Sequence, residues 1–153
     1  IFDPHDPSNA ERLKMWGVGL QIFRDHPVFG VGDVNLMALS RMYSQSSFGF
    51  GHAHNNIMMW LITLGVLGFV FIIFWFIKIW KILWNTYKKS NSDWLYESFT
   101  LGAIAAFVGF HVNGMFEWNF GDAEIFMMLW IMVGMVMSIK KIIERDKSGE
   151  PVK

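Results

Sequence analysis

The sequence contains no cysteine among its 153 residues, which excludes a disulfide framework, a thiolate metal site and a cysteine nucleophile. Charged residues are also scarce, at 17% of the chain against roughly 25% in soluble domains. The 13 Lys and Arg balance the 13 Asp and Glu, so the composition excludes a nucleic-acid-binding protein that works through a clustered positive excess. The chain also lacks an initiator methionine, and its first residues are typical of neither a signal peptide nor a transit peptide. We therefore expect it to be a piece of a longer protein.

Hydrophobic residues make up 53% of the chain and aromatic residues 17%, and many of them lie in three runs without charge. The runs cover residues 57–77, 98–116 and 125–139, and the third extends to 143 if Lys140 and Lys141 reach the membrane interface with their amines. About 20 residues of helix cross a hydrocarbon core of roughly 30 Å. A soluble chain of this length has too few other residues to cover three such helices. The sequence therefore predicts an all-α integral membrane protein with three transmembrane helices.

Basic residues are concentrated after the first apolar run and in the C-terminal tail. The turn after the second run contains Glu117, Asp122 and Glu124 and no basic residue. Because basic loops are retained in the cytoplasm, we expect this turn to face outward, together with the chain before the first run. The predicted segments are an outward-facing helical loop (1–56), three transmembrane helices (57–77, 98–116 and 125–143), a cytoplasmic loop (78–97), a short outer turn (117–124) and a cytoplasmic tail (144–153).

Two helices are expected in the outward-facing loop. Ser8 and Glu11 have the spacing of a capping box, which predicts that a helix begins at Ser8. Pro27 ends this helix, because the residue before a proline is disfavoured in the α region. After a Gly-x-Gly turn, Asp33 is a candidate N-cap for a second, short helix that includes Tyr43.

His54 is the strongest candidate for chemistry, because it lies beside Asn55 at the outer end of the first predicted span. If the helix includes it, His54, Gly65 and Gly68 share one face, and the two glycines form a small-residue surface on which another helix packs closely. An imidazole is suited to accept a proton from a hydroxyl near neutral pH. A histidine that only favours the head-group region is the alternative, and the position alone does not separate the two.

Arg12 is the second candidate, and the sequence places it in the first turn of the outward-facing helix. Free backbone N–H groups and the helix dipole favour anions there, and a guanidinium matches the oxygens of a phosphate. A surface arginine paired with Glu11 or Asp6 is the alternative.

A metal site is not predicted. His52 and His54 are two residues apart, and on a helix such side chains point about 200° away from each other. Only an extended segment would bring the two rings together. The sequence also contains neither an HExxH motif nor an Asp-x-Asp pair.

These residues resemble the bacterial O-antigen ligase and O-antigen polymerase-like membrane proteins. The histidine motif of that family is His followed by Asn, Ser or Gln, then nine residues, Gly, two residues, and Gly, Thr or Tyr. His54, Asn55, Gly65 and Gly68 fit it without a gap.

Two flanking stretches are similar to the same family. Upstream, Arg12 and Trp16 are followed by Pro27 and a Gly-x-Gly turn, in the family's order. Downstream, the stretch 116–124 looks like the family's last outer turn. The resemblance covers nearly the whole chain and implies that it is the C-terminal part of such a protein.

The resemblance implies a C-type (GT-C) glycosyltransferase fold with further spans, located in the bacterial inner membrane. Its members transfer a glycan from undecaprenyl diphosphate to an acceptor hydroxyl on lipid A–core or another glycan, at the outer side of the membrane and with inversion. In this chain His54 would be the general base and Arg12 would bind the diphosphate. Asn55, Glu117 and Asp122 would support the site or bind acceptor, with no cofactor or metal. A further arginine that the family uses lies in an earlier loop that this chain does not contain.

Two other functions stay open. A polymerase of the same family joins glycan to glycan, and the histidine motif does not distinguish it from a ligase. A subunit of a transporter or channel would use the outward-facing loop for docking or gating, and His54 would then be replaceable with little loss.

Overall fold

The computed structural model describes residues 7–44, 49–90 and 93–148. In these ranges every regular element is helical, which confirms the predicted all-α class. The elements are α1 (Pro7–Asp25), α2 (Leu36–Tyr43), α3 (Asn56–Lys89), α4 (Trp94–Asn113), a short 3-10 helix (Asn119–Gly121) and α5 (Ala123–Ser148).

Within the described ranges, three helices are long and apolar enough to cross a membrane, namely α3, α4 and α5. Two of them extend past the C-terminal ends of the predicted spans, whereas α4 begins four residues before its predicted span and ends three residues short of it. Helix α3 continues to Lys89, through much of the segment assigned to a cytoplasmic loop, and α5 continues to Ser148. The lysines and arginines at these ends favour helix as strongly as most apolar residues do. The end of an apolar run is therefore not the end of a helix.

The start signals of the first two helices differ from the predicted ones. Helix α1 begins at Pro7, so Ser8 lies inside its first turn, where a proline at the first position is already well suited to the helix. It ends at Asp25, two residues before Pro27, as the proline predicted. The N-cap of α2 is Asn35, whose side-chain oxygen accepts a hydrogen bond from the N–H of Ala38 at 3.0 Å. Asp33 lies two residues too early for that role.

The chain divides into two compact units, and the first consists of residues 1–73 and 113–119. Its described part contains α1, α2 and the first half of α3. Residues from all three helices and from the loop before α3 form its buried core, namely Val18, Ile22, Leu36, Phe50, Ala53, Met59 and Ile62. This core fixes the loop before α3 against α1.

The second unit consists of residues 74–112 and 120–153 and contains the rest of α3, most of α4 and α5. Aromatic rings from the three helices pack together in it. The ring of Phe76 lies 6.0 Å from that of Phe107 and 4.4 Å from that of His111. His111 Nδ1 lies 2.7 Å from the carbonyl oxygen of Phe107, one turn earlier in α4. His111 therefore belongs to the packing of this unit.

Helix α3 is broken at Gly65, which has φ 64° and ψ −169°. In an unbroken helix the N–H groups of residues 66 and 67 would donate to the carbonyls of residues 62 and 63. Instead, the turn at residues 27–32, called here the glycine turn, pairs with all of these groups. Its N–H groups donate to the carbonyls of residues 62 and 63, and its carbonyls accept from the N–H groups of residues 66 and 67. Its four hydrogen bonds run from Val31 to Ile62, from Gly32 to Thr63, from Val66 to Pro27 and from Leu67 to Val28, at 2.9, 2.8, 2.8 and 3.2 Å.

Glycine is required where the two backbones cross. A Cβ atom on Gly65 would lie 2.4 Å from the carbonyl oxygen of Val28, and one on Gly30 would lie 2.5 Å from the carbonyl carbon of Thr63. Both glycines have positive φ, which residues with a Cβ rarely adopt. The predicted face of His54, Gly65 and Gly68 is therefore not formed, because the helix does not run straight through it. Gly65 contacts the glycine turn, and a Cβ on Gly68 would lie 2.4 Å from the Cβ of Leu64.

Candidate active site

His54 lies outside α3, in the loop that precedes it, and not on the helix face that the sequence predicted. Its φ of 46° is left-handed, and no other non-glycine residue in the described ranges has a positive φ. Such a conformation costs on the order of 1–3 kcal/mol, and residues with it cluster at functional sites. We therefore regard the loop containing residues 49–55, the histidine loop, as the centre of the candidate site.

Two asparagines, one in the histidine loop and one at the start of α3, connect this region to the segment 113–119. Asn55 is the N-cap of α3, since its side-chain oxygen accepts a hydrogen bond from the N–H of Met58 at 2.9 Å. Its side-chain NH2 group donates to the carbonyl oxygen of Met115 at 2.8 Å. The side-chain oxygen of Asn56 accepts from the N–H of Asn119 at 3.0 Å. Asn55 is thus a supporting residue in this arrangement, with both ends of its amide engaged by the protein.

The segment 113–119 brings Glu117 to the histidines. Nδ1 of His54 lies 2.8 Å from Oε1 of Glu117, a hydrogen bond between residues 63 positions apart. Nδ1 of His52 lies 3.9 Å from the same oxygen, and the two imidazole centroids are 4.1 Å apart. The ligand atoms of all three side chains lie within 4.8 Å of one another, which is close enough to hold a metal ion. The cluster is accessible, because the side chains of His54 and Glu117 are 31% and 45% exposed.

His52 is a member of the site that sequence reasoning left out. The prediction placed the two histidines on a helix, where they would diverge. The histidine loop is not helical, and in it the two imidazole rings lie side by side, with centroids 4.1 Å apart. The His-x-His spacing was the available signal, and it required only that the helix begin after residue 54.

The charges in the cluster follow from its hydrogen bonds. Partial removal from water raises the pKa of Glu117, but the N–H of Trp118, which donates to Oε1 at 3.0 Å, and the contacts with His54 and His52 outweigh it. The pKa of Glu117 therefore lies below its ordinary value, and the group is a carboxylate at neutral pH. Burial, and next the neighbouring His54, lowers the pKa of His52, while Glu117 opposes the shift. His52 is therefore neutral at pH 7.

Helix α1 supports the cluster from both sides. Nε1 of Trp16 donates to the carbonyl oxygen of Ala53, between the two histidines, at 2.9 Å. Nη1 of Arg12 donates to the carbonyl oxygen of Phe116, next to Glu117, at 3.0 Å. Residues four apart lie on one face of a helix, so a single face of α1 positions both halves of the site.

The position of Arg12 differs from the predicted one. Because α1 begins at Pro7, Arg12 is its sixth residue and lies in the second turn. The free N–H groups at the N-terminus of α1 are therefore not beside the Arg12 guanidinium. The hydrogen bond to the carbonyl oxygen of Phe116 holds the guanidinium near the site. Asp122, the remaining candidate, is the N-cap of α5. Its carboxylate accepts hydrogen bonds from the N–H groups of Glu124 and Ile125 at 3.1 and 3.2 Å.

A cavity of about 400 Å³ lies in the same unit. Its lining includes Asp33, Gly51, Met59 and Trp118. Gly51 directly precedes His52, and Trp118 directly follows Glu117. The lining therefore includes a chain neighbour of the cluster from each of the two segments that form it, together with an aromatic residue and an aspartate.

In the part of the chain that the structure describes, the helices and the cluster define a class of protein, a membrane protein with three candidate spanning helices and a candidate histidine–carboxylate site at the end of one of them. A family model also matches part of the chain. The model of the O-antigen ligase family matches residues 3–73, which confirms the resemblance found in the sequence. The matched range contains Arg12, His54 and Gly65 but not Glu117, so the role of Glu117 is inferred from the structure. Comparisons with curated proteins and with solved structures gave no match.

Proposed function

We propose that this chain carries the active site of a membrane glycosyltransferase that moves a glycan from undecaprenyl diphosphate to an acceptor hydroxyl. The observation that carries the proposal is the 2.8 Å hydrogen bond between His54 and Glu117, made by a strained residue within the segment that matches the O-antigen ligase family. A histidine that only favoured the head-group region would need neither the strain nor the carboxylate. In this proposal the enzyme is of the GT-C type, and residues 1–56 and 117–124 face the periplasm from the bacterial inner membrane.

His54 is the general base of the proposed reaction. Its Nδ1–H donates to the Glu117 carboxylate, so the lone pair is on Nε2. Nε2 accepts the proton of the acceptor hydroxyl as the hydroxyl oxygen bonds to the anomeric carbon. The bond from that carbon to the diphosphate oxygen breaks on the opposite side, which inverts the anomeric centre. Glu117 stabilises the imidazolium that forms.

Arg12 stabilises the leaving group in this proposal. Negative charge develops on the diphosphate oxygens as the glycosidic bond breaks, and a fixed cation aimed at them lowers the barrier without a metal. The hydrogen bond from Nη1 to Phe116 holds the guanidinium beside the segment that supplies Glu117. A guanidinium has five N–H donors, so this bond leaves donors for the phosphates.

The transfer reaction tests the proposal through Arg12. We expect the purified full-length protein, with undecaprenyl diphosphate–glycan and a chelator, to glycosylate lipid A–core if it is a ligase or a second glycan if it is a polymerase. Arg12→Ala should lower kcat about 100-fold, the typical loss for one transition-state donor. Arg12→Lys should recover part of the rate, because it keeps the charge but not the planar fork. Absence of product with both acceptors would refute the enzyme, and wild-type rates in Arg12→Ala would refute this role.

The cavity beside the cluster is the proposed acceptor site. Trp118 directly follows Glu117 in the chain, so a sugar packed against its indole would be held by the same segment that pairs with His54. Trp118→Ala should raise KM for the acceptor about tenfold, equivalent to ~1.4 kcal/mol, with little effect on KM for the donor. Trp118→Phe keeps a ring and is the matched control. Initial rates with each substrate varied in turn measure both constants, and an equal rise for donor and acceptor would exclude an acceptor-specific site.

A further inference from the structure

The cluster of His52, His54 and Glu117 has the donor set of a transition-metal site. We propose that these three side chains bind one zinc-class divalent cation, and that the bound cation switches the glycosyl transfer off. The inhibition rests on the proposed function, whereas the binding site does not.

The geometry of the donors supports the site. The two imidazole nitrogens lie 3.9 and 2.8 Å from one carboxylate oxygen, and all three ligand atoms are within 4.8 Å of one another. Tetrahedral zinc, with ligands at about 2.0–2.1 Å, spaces its donors roughly 3.3 Å apart. The observed distances bracket that value, so small rotations of the side chains suffice. Two histidines and one glutamate also form the ligand set of known zinc sites with one open position.

An unpaired atom provides the second observation. Nδ1 of His52 is buried, and within the described parts of the chain it has no hydrogen-bond partner. Buried polar atoms are nearly always paired, and an exception calls for an explanation such as an ion. A cation between the two histidines and Glu117 would use this lone pair. The same atom explains why His52 is present in a site whose base is His54.

The switch follows from the tautomer of His54. Without metal, the proton of the neutral imidazole is on Nδ1, in the hydrogen bond to Glu117, and Nε2 has the lone pair that accepts the proton of the acceptor. A cation takes the lone pair of Nδ1, so the ring proton must be on Nε2. His54 then has no basic nitrogen left. The metal-bound and catalytic states are therefore mutually exclusive.

Zinc binding is tested on the purified full-length protein after removal of metals with a chelator. We expect equilibrium dialysis against ZnCl2, with bound zinc measured by mass spectrometry, to give one Zn2+ per chain. His52→Ala should weaken the binding at least tenfold, and Glu117→Gln should do the same while nearly preserving the shape of the side chain. His26→Ala, at an exposed histidine outside the cluster, should bind zinc as the wild type does. Wild-type zinc binding in both cluster variants, or none in the wild type, would overturn the site.

The switch is tested separately by the transfer assay. Zinc at saturating concentration should lower the wild-type rate at least tenfold, and excess chelator should restore it. The rate of His52→Ala, relative to its own zinc-free rate, should be resistant to the same zinc concentration. Saturated zinc with an unchanged transfer rate would overturn the switch and leave the binding site. A protein that binds zinc but transfers no glycan under any condition would instead refute the proposed function, and the switch with it.

Discussion

His54→Ala is expected to lower kcat for glycan transfer about 1,000-fold. General-base catalysis contributes roughly 10²–10⁴-fold to a reaction, and within the cluster His54 pairs with Glu117 at 2.8 Å. The donor and the acceptor should still bind, because the substitution removes neither Arg12 nor Trp118. Steady-state rates of transfer, measured in a chelator with both substrates saturating, give the comparison.

Two variants make this result interpretable. His54→Asn keeps a residue that tolerates the left-handed backbone, so its loss of activity should match that of the alanine variant while the fold is retained. Glu117→Gln keeps an oxygen that accepts the hydrogen bond from Nδ1 but removes the charge that stabilises the imidazolium, and the expected loss is smaller, about 10- to 100-fold. Transfer at the wild-type rate in both His54 variants would show that the histidine is not the base.

Gly65→Ala is expected to destabilise the protein by about 3–5 kcal/mol. The new methyl group would lie 2.4 Å from the carbonyl oxygen of Val28, so the glycine turn must move away. Strain at positive φ costs about 1–3 kcal/mol, and each lost backbone hydrogen bond adds about 1 kcal/mol. Thermal unfolding in detergent, followed by loss of helical circular dichroism, should show a clear decrease in Tm.

Gly102→Ala is the matched control for this substitution. A Cβ on Gly102 in α4 would meet no atom within 4 Å, and alanine is favoured over glycine in a helix by up to about 1 kcal/mol. Its Tm should be unchanged or slightly higher. Equal Tm values for the two variants would show that the crossing at Gly65 is not tightly packed.

The long helices could be predicted because their signal is local. Charge-free runs of sufficient length indicated three spanning helices, and the structure has α3, α4 and α5 at these places. Pro27 correctly marked the end of α1. The ends of α3 and α5 were harder to predict, since lysine-rich sequence continues a helix as readily as it forms a cytoplasmic loop.

The break in α3 depends on a pairing that residue types do not encode. Backbone hydrogen bonds between residues 27–32 and 62–67 use groups that every residue has, and only the glycines leave a trace in the sequence. Gly65 was noted, but as part of a helix-packing face. Its actual neighbour, the glycine turn, lies more than 30 residues earlier in the chain.

Most members of the candidate site were predicted from the sequence, but their arrangement was not. His54, Arg12, Asn55 and Glu117 were all selected, and the structure brings them to the histidine loop and the adjacent segment 113–119. The pairing of His54 with Glu117 spans 63 positions, and no local pattern connects them. His52 was missed because one assumption, a helix through residue 54, determined where its side chain would point.

The backbone hydrogen bonds between α3 and the glycine turn also have a consequence for the biogenesis of the protein. The helical hydrogen bonds of residues 62–67 form within one run of the chain, whereas their pairing with residues 27–32 requires the two segments to meet. Unpaired N–H and C=O groups are very costly in lipid, and we therefore expect the run to insert as an uninterrupted helix. The glycine turn then docks and replaces the helical bonds of residues 62–67 with its own. Folding of the nascent chain would then depend on when the glycine turn docks. If the turn docked late, residues 62–67 would stay in a straight helix, and quality control would act on that form.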